Sequence, residues 1–578
     1  MRCIATWLSV CLVGLFACGD TEPATTPDSG IITTPDAGVD LTDRMFDPDR
    51  VIEVAITMDA GDWDALRVQA RSIDMLFGAD CQDAPFPKPY TYFPAAVTVD
   101  GISLDQVGVR KKGFLGSLDS YKPSLKLKFG EYVADQTLSG LQRMTLNNNR
   151  QDPAFIKQCI GYAVFRDAGI PAPRCNFAHV TVNGTDLGLF AHVESVKKPF
   201  LRRHFADDEG VLYEGTLSDF RDGWTGTFEQ KTNKSVPTMA AIDAMRSALT
   251  VSSAQLLDAL APILDVDEFI NYWATEVLIA HWDGYANNTN NFFLYADPVT
   301  GQVHFLPWGI DGILFDANPF PDGPAPPKAV YATGFLARRL YNIGETRTKY
   351  IARLRALLDQ VWDESALLAE IDRMEALVID LAETDPFSDG VDVRAEIEKV
   401  REFVRQRRQV LTPELDNPPV WDSPMRDTFC FLDIGSISGT FSTTWGALDR
   451  DPFVAGTSDF TGTINGAALV TTQRGARAGL NAGAQNGPKD EIHVVGWRDN
   501  GKLLLLVFSM PPEQLGPGTF TLDFSTVESF LFEFDPVAMD GQIIAFLSDG
   551  TLTLTAASST DGAAVTGSFT ATLIQSPF

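Results

Sequence analysis

Helix-period patterning stops near residue 416 of this chain and does not return. Asp416-Asn417-Pro418-Pro419 closes the last amphipathic stretch with turn-forming residues, and proline cannot continue a helix. Beyond about residue 428, Gly, Thr, Ser, Phe and Val dominate. Strand-like runs recur there at Thr440–Thr444, Ile492–Trp497, Leu503–Phe508, Gly518–Leu522, Gly550–Ala556 and Gly567–Leu573. That pattern predicts an all-β, sandwich-like accessory domain over 428–578, with no residue standing out as a site.

Ahead of the break both periods are mixed. Val51-Ile52-Glu53-Val54-Ala55-Ile56 is β-rich, and Ala60 to Leu66 carries a helix signal. Ser124 to Phe129 alternates apolar and polar, the period of a half-buried strand. From Asp152 to Gly169 the residues Phe155, Ile156, Cys159, Ile160, Ala163 and Val164 form one stripe, ended by Gly169, Pro171 and Pro173. Asn183-Gly184 between two apolar runs predicts a hairpin. A helix is predicted over 265–280, short strands over 291–295 and 303–308, and amphipathic helices between 345 and 412, including Ile351–Trp362 and Val393–Val410. The expected fold class is α+β over 44–415, followed by the β domain.

The N-terminus speaks to location. Arg2 precedes an uncharged apolar stretch running to Ala17, too short to span a bilayer as a mature helix. It ends Leu15-Phe16-Ala17-Cys18, which resembles the lipobox of bacterial lipoproteins. Residues 1–18 therefore read as a signal peptide with Cys18 as the lipidated residue; an ordinary signal peptide cut nearby is the alternative. Gly19 follows in place of aspartate, which in lipoprotein sorting points to the outer membrane or cell surface. Residues 19–43 are rich in Thr, Pro and Asp and lack the periodicity that offsets ordering entropy, so a disordered tether is expected.

Apolar content of 45% is that of a globular protein, and the net charge of -30 argues against a nucleic-acid partner. Membrane contact is expected through the lipid anchor alone, and oligomeric state leaves no trace in the sequence. Beside Cys18, the cysteines left after export are Cys81, Cys159, Cys175 and Cys430, free to pair in an oxidising compartment. Cys159 and Cys175 flank a compact segment and are the preferred pair. No Cys or His spacing suggests zinc.

The chemistry concentrates in His281-Trp282-Asp283-Gly284-Tyr285-Ala286-Asn287-Asn288-Thr289-Asn290-Asn291, ahead of the strand Phe292–Tyr295. So many asparagines serve folding poorly, yet short polar carbonyls in a loop suit a hard cation. A second strand ends Phe305-Leu306-Pro307-Trp308-Gly309-Ile310-Asp311-Gly312, where an Asp beside glycines can point into a cleft. Two acidic loops around a strand pair resemble the plan of a protein-kinase centre, with one Asp as proton acceptor, an Asn on the metal and a later Asp on the metal.

Together these stretches resemble the signature of the CotH kinase family. Val109-Arg110-Lys111-Lys112-Gly113, Lys122 to Phe129, Leu146-Asn147-Asn148 before Asp152-Pro153, Ala168 to Arg174, and Val182-Asn183-Gly184 through Gly188 to Glu194 match it in order. The resemblance spans roughly residues 48 to 412. It implies an atypical protein-kinase-like fold that transfers phosphate from ATP, with Mg²⁺ (or Mn²⁺), to Ser or Thr of extracytoplasmic or surface proteins. Carried over, Asp283 resembles the catalytic Asp, Asp311 the metal-binding Asp, and Asn291 or Asn288 the metal-binding Asn. Lys126 resembles the nucleotide lysine and Glu194 its ion-pair partner, with Arg110, Lys112, Gly113, Gly116 and Ser117 along the phosphates.

One departure stands out. Many family members read Pro-Trp-Asp-x-Asp, whereas this chain reads Pro-Trp-Gly309-Ile-Asp311. If the metal ligand is the first Asp of that pair, the protein is a pseudokinase; if the second, the chemistry survives. Bland readings exist for each residue too: Asp283 and Asp311 as turn residues, Lys126 as a solvated strand lysine, Glu194 as a surface charge. An exported enzyme also meets little ATP. Hence a catalytically inactive kinase-like scaffold for surface binding or attachment is the second reading, and a phosphate-group enzyme using another donor the third.

Overall fold

The computed structural model describes residues 42–315, 327–482, 488–522 and 527–575; the expected leader, Cys18 and the expected tether up to residue 41 lie outside them. Seven strands come first: β1 (Val51–Thr57), β2 (Phe93–Val99), β3 (Ile102–Lys111), β4 (Leu125–Lys128), β5 (Arg143–Asn147), β6 (Cys175–Val182) and β7 (Thr185–Val193). They close into a barrel in the order β1-β2-β3-β4-β5-β7-β6, with β6 returning to β1 in parallel, Val51 opposite Phe177. Closure leaves no exposed edge. The predicted hairpin joins β6 to β7, and Asn183 (φ 51°) and Gly184 (φ 79°) both take the left-handed conformation that a two-residue turn of this twist requires. Period-2 alternation sends Ile52, Val54, Ile56, Leu125, Leu127 and Leu146 into the barrel core. It leaves Lys126 and Lys128 half-buried on the outer face of β4.

A second sheet, ordered β11-β10-β8-β9, is built from β8 (Val211–Gly215), β9 (Glu229–Gln230), β10 (Phe292–Ala296) and β11 (Val303–Pro307). The two strands predicted around 291–308 are its β10 and β11, paired antiparallel. Helices Lys157–Asp167, Val266–Leu278, Gly344–Gln360, Glu364–Ala382 and Val393–Asp416 share one large apolar core with it. Asp265 caps the central helix by accepting from the amides of Asp267 and Glu268, and Trp273 stacks on Tyr350 at 3.9 Å. The preferred disulfide, Cys159–Cys175, pins helix Lys157–Asp167 to β6.

Beyond Leu432 every long element is a strand. One continuous ten-stranded sheet makes the sandwich-like body by curling around a single core that includes Phe441, Phe460, Leu506, Leu531 and Phe569. Register shifts, as between Ser548 and Thr551, bend its long strands. This body is stitched to the rest by a parallel bridge between Phe77 and Phe431, by the disulfide Cys81–Cys430, and by a cluster of Leu76, Phe86, Leu217, Trp224, Phe429 and Ile574. Among the described residues no helix is long and apolar enough to cross a membrane.

Candidate functional site

Where helix Val266–Leu278 ends, a buried carboxylate organises the loop that follows. Glu276 accepts from the Tyr272 hydroxyl and from the backbone amides of Tyr285 and Ala286, all at 2.9 Å, which anchors the helical turn Tyr285–Asn288 at its start. Burial pushes Glu276 up to about 7. After that turn Thr289 (φ 50°) and Asn291 (φ 53°) fold the chain back through left-handed conformations. The result is a cage around one residue: Asp283 Oδ1 accepts from Asn288 Nδ2 at 2.6 Å and Asn290 Nδ2 at 3.1 Å, and its Oδ2 accepts from Asn291 Nδ2 at 2.6 Å. The asparagine-rich run that local folding disfavours is thus a set of donors converging on a carboxylate. Burial lifts Asp283 to about 6; the amides pull it down and the charge of Asp311 adds to the rise.

Asp311 follows the end of β11 and lines the same cleft, of about 420 Å³, as Asp283, Asn288 and Asn291. Burial raises its proton affinity and Lys112 opposes the rise. In the Asp311 loop lies Gly309, at φ +55°, where an added Cβ would stand 2.5 Å from Asn291 Oδ1. An aspartate at 309 meets that same obstruction, so the departure at this position is coupled to Asn291 reaching Asp283. Gly309→Ala is expected to cost about 1–3 kcal/mol, from left-handed strain plus displacement of Asn291. Urea unfolding of the variant measures this, and wild-type stability would contradict it.

The same cleft also carries a cluster of cations, three of them from β3, β4 and the loop after β3. Arg110 and Lys126 sit opposite each other on β3 and β4, and with Lys112, Lys231 and Lys88 they line the cleft. Burial, and then Lys197, Arg110, Lys231 and Lys112, hold the Lys126 ammonium well below its usual value. Burial likewise brings Lys112 to about 8, and its Nζ donates to Asn147 Oδ1. Gly113, Gly116 and Ser117 border the same space, in a turn closed by Phe114 N donating to Ser117 Oγ at 3.3 Å.

Glu194 is a correction. It lies outside this cleft, in a separate pocket with Arg143 and Lys197, and its carboxylate is taken by Arg174 (3.0 Å) and Arg203 (2.7 Å). Because β7 ends at Val193, Glu194 leaves the barrel towards Arg174, to whose carbonyl its own amide donates at 2.9 Å. The carboxylate within the field of Lys126 is Glu214 on β8. Burial would raise it, but Lys231, Lys88 and Lys126 hold it well below the usual range. Glu214, Lys231 and Lys88 stand in no motif of the sequence; a lone Glu closing the apolar run Val211-Leu212-Tyr213 is the signal it offers. Among the described residues no group of three or more His, Cys, Asp or Glu is poised to hold a metal. A cation here would rest on the Asp311 carboxylate, an amide oxygen and its own ligands, in keeping with the one or two carboxylates by which Mg²⁺ is commonly held beside phosphates.

Comparison with known proteins agrees with the sequence motifs. A family model described as "CotH kinase protein" matches residues 109–411. "Inner spore coat protein H" of Bacillus subtilis is 23% identical over 301 residues, covering 49% of this chain and 81% of its own. "Invasin CotH7" of Rhizopus delemar is 20% identical over 264 residues, covering 42% of each. Among solved structures, the Helicobacter pylori proinflammatory kinase CtkA superposes with a TM-score of 0.28 and 8% identity, over 51% of this chain and 93% of that one. A HipA complex from Shewanella oneidensis gives 0.31 and 12%, over 63% and 74%. Both superpositions are too loose to carry an argument.

Proposed function

The chain belongs to the CotH kinase protein family, and from that premise we propose that it transfers phosphate from ATP, with Mg²⁺ or Mn²⁺, to Ser or Thr hydroxyls of proteins outside the cytoplasm. One observation carries the reading: two carboxylates, Asp283 and Asp311, share a cleft with Arg110, Lys112 and Lys126. Burial, with neighbouring cations adding to it, lowers the proton affinity of the lysines, and burial, with Asp311 adding to it, raises that of Asp283. A polyanion beside the cations and a divalent cation beside the carboxylates would relieve both, so the donor set fits a metal-bound nucleotide. Such a ligand supplies the phosphoryl group and the metal charge. On this reading Lys126, Lys112 and Arg110 hold phosphate oxygens, Asp311 and Asn291 hold the metal, and Asp283 accepts the hydroxyl proton of the acceptor.

The reading has a direct test. Millimolar ATP with Mg²⁺ is expected to raise the melting temperature of the protein by mass action, about 2.7 kcal/mol of stabilisation at a hundredfold excess over Kd, and labelled ATP is expected to mark an acceptor protein. No shift and no label would leave the inactive scaffold, which the missing aspartate at 309 favours. We also read the protein as exported and lipid-anchored through Cys18, in the outer membrane or on the surface. Cys18→Ser is then expected to move it from the membrane fraction to the soluble one, and unchanged fractionation contradicts the anchor.

A further inference from the structure

The family match ends at residue 411, yet the loop around Asp283 is held from beyond it. Arg426 lies in the stretch between helix Val393–Asp416 and the curled sheet. Its Nη2 donates to Asn288 Oδ1 at 2.8 Å. An amide whose oxygen is so engaged turns its nitrogen the other way, and Asn288 Nδ2 points at Asp283 Oδ1, 2.6 Å off. The stretch carrying Arg426 is itself fastened down. Arg221 donates to the Arg426 carbonyl at 2.6 Å, Trp224 Nε1 to the Asp427 carbonyl at 3.1 Å, and Cys430 is bonded to Cys81. Phe431, next in the chain, lines the cleft.

We propose that Arg426 is a positioning residue of the Asp283 site, so that the lead-in to the C-terminal sheet completes a centre the family domain does not complete alone. The proposal rests on the phosphotransfer reading for its kinetic consequence only. Its structural content also divides the two asparagines considered as metal ligands. Asn288 has its oxygen occupied by Arg426 and its nitrogen by Asp283. Asn290 likewise spends its oxygen on the amide of Leu217 at 3.3 Å. Asn291 gives its nitrogen to Asp283 and turns its oxygen towards Gly309, so among the described residues neither a guanidinium nor a backbone amide takes a lone pair of that oxygen, and Asn291 is the favoured amide ligand for a cation.

The experiment combines a spectroscopic and a kinetic readout on the whole protein. With ¹⁵N-asparagine labelling, the Asn288 side-chain amide is identified by its disappearance in Asn288→Asp. Arg426→Ala is expected to shift that resonance and speed its hydrogen exchange about tenfold or more, the loss of one charge-assisted hydrogen bond. Arg426→Lys, which keeps a cationic donor, restores part of the protection. In transfer assays Arg426→Ala is expected to lower kcat about tenfold with little change in nucleotide affinity, and to add nothing in an Asn288→Ala background. An Asn288 resonance indifferent to Arg426→Ala overturns the proposal, as does a lysine variant no better than alanine. Equal kcat losses that add independently overturn it too. If Arg426→Ala does not fold, Arg426→Lys against wild type carries the same comparison with a smaller shift. Should the wild type neither bind nucleotide nor transfer phosphate, the function proposed above fails, while the Asn288 resonance still decides whether Arg426 orients the loop.

Discussion

Protein carrying Asp283→Ala is expected to transfer phosphate about 10²- to 10⁴-fold more slowly, the range a positioned general base contributes, while ATP and Mg²⁺ still raise its melting temperature. The split follows from two sets of groups in the cleft: Asp283 in its cage of amides, and the cations Arg110, Lys112 and Lys126. On the proposed reading, alanine at 283 removes the proton acceptor and leaves Arg110, Lys112 and Lys126 in place, so the loss belongs to kcat. Lys126→Ala is the mirror image, with the nucleotide-induced stabilisation weakened first. Rate and thermal shift measured side by side on the two variants separate the roles. Transfer by Asp283→Ala at the wild-type rate would remove that residue from the reaction.

The largest effect on stability is expected from Lys122→Met, at about 3–5 kcal/mol. Lys122 and Asp385 form an ion pair of 2.5 Å with both side chains fully buried. The pair bridges two parts of the fold, since Lys122 lies just ahead of β4 (Leu125–Lys128) of the barrel and Asp385 follows helix Glu364–Ala382. Around it the polar groups are matched: Lys122 Nζ also donates to the Leu189 carbonyl at 2.9 Å, and Asp385 Oδ2 accepts from the Leu189 amide at 2.7 Å. The rings of Phe155, Phe190 and Phe387 lie 4.8 to 5.3 Å from the ammonium. A pair so placed adds little over an apolar substitute, because desolvation cancels most of the attraction. Removing one partner strands the other charge, and that is costly. Urea unfolding reads the loss directly, and Lys122→Met with Asp385→Leu is expected to recover most of it. A cost under about 1 kcal/mol for the single variant would mean that water reaches Asp385.

Several of these features are visible along the chain and others are not, for reasons that differ by residue. Asn183-Gly184 announces its hairpin because two consecutive left-handed residues are a local demand. Leu125-Lys126-Leu127-Lys128 announces a strand and its two faces by alternation alone. The crowding of Asn288, Asn290 and Asn291 marks their loop, but as carbonyls suited to a cation; that their side-chain nitrogens converge on Asp283 is decided by the fold. Glu194 and Glu214 are indistinguishable as strand-end glutamates. Only the positions of Arg174 and Arg203 against those of Lys231 and Lys88 tell them apart.

Residue periods and turn chemistry, which depend on a few neighbouring φ and ψ angles, were enough to divide this chain into an α+β unit and a β unit and to mark the two acidic loops. Closing β1 onto β6, joining Cys81 to Cys430 across a separation of 349 residues, and bringing Arg426 to Asn288 were matters for the tertiary structure. Those contacts are decided by which distant surfaces bury each other, and burial energy carries no record in local sequence of its eventual partner.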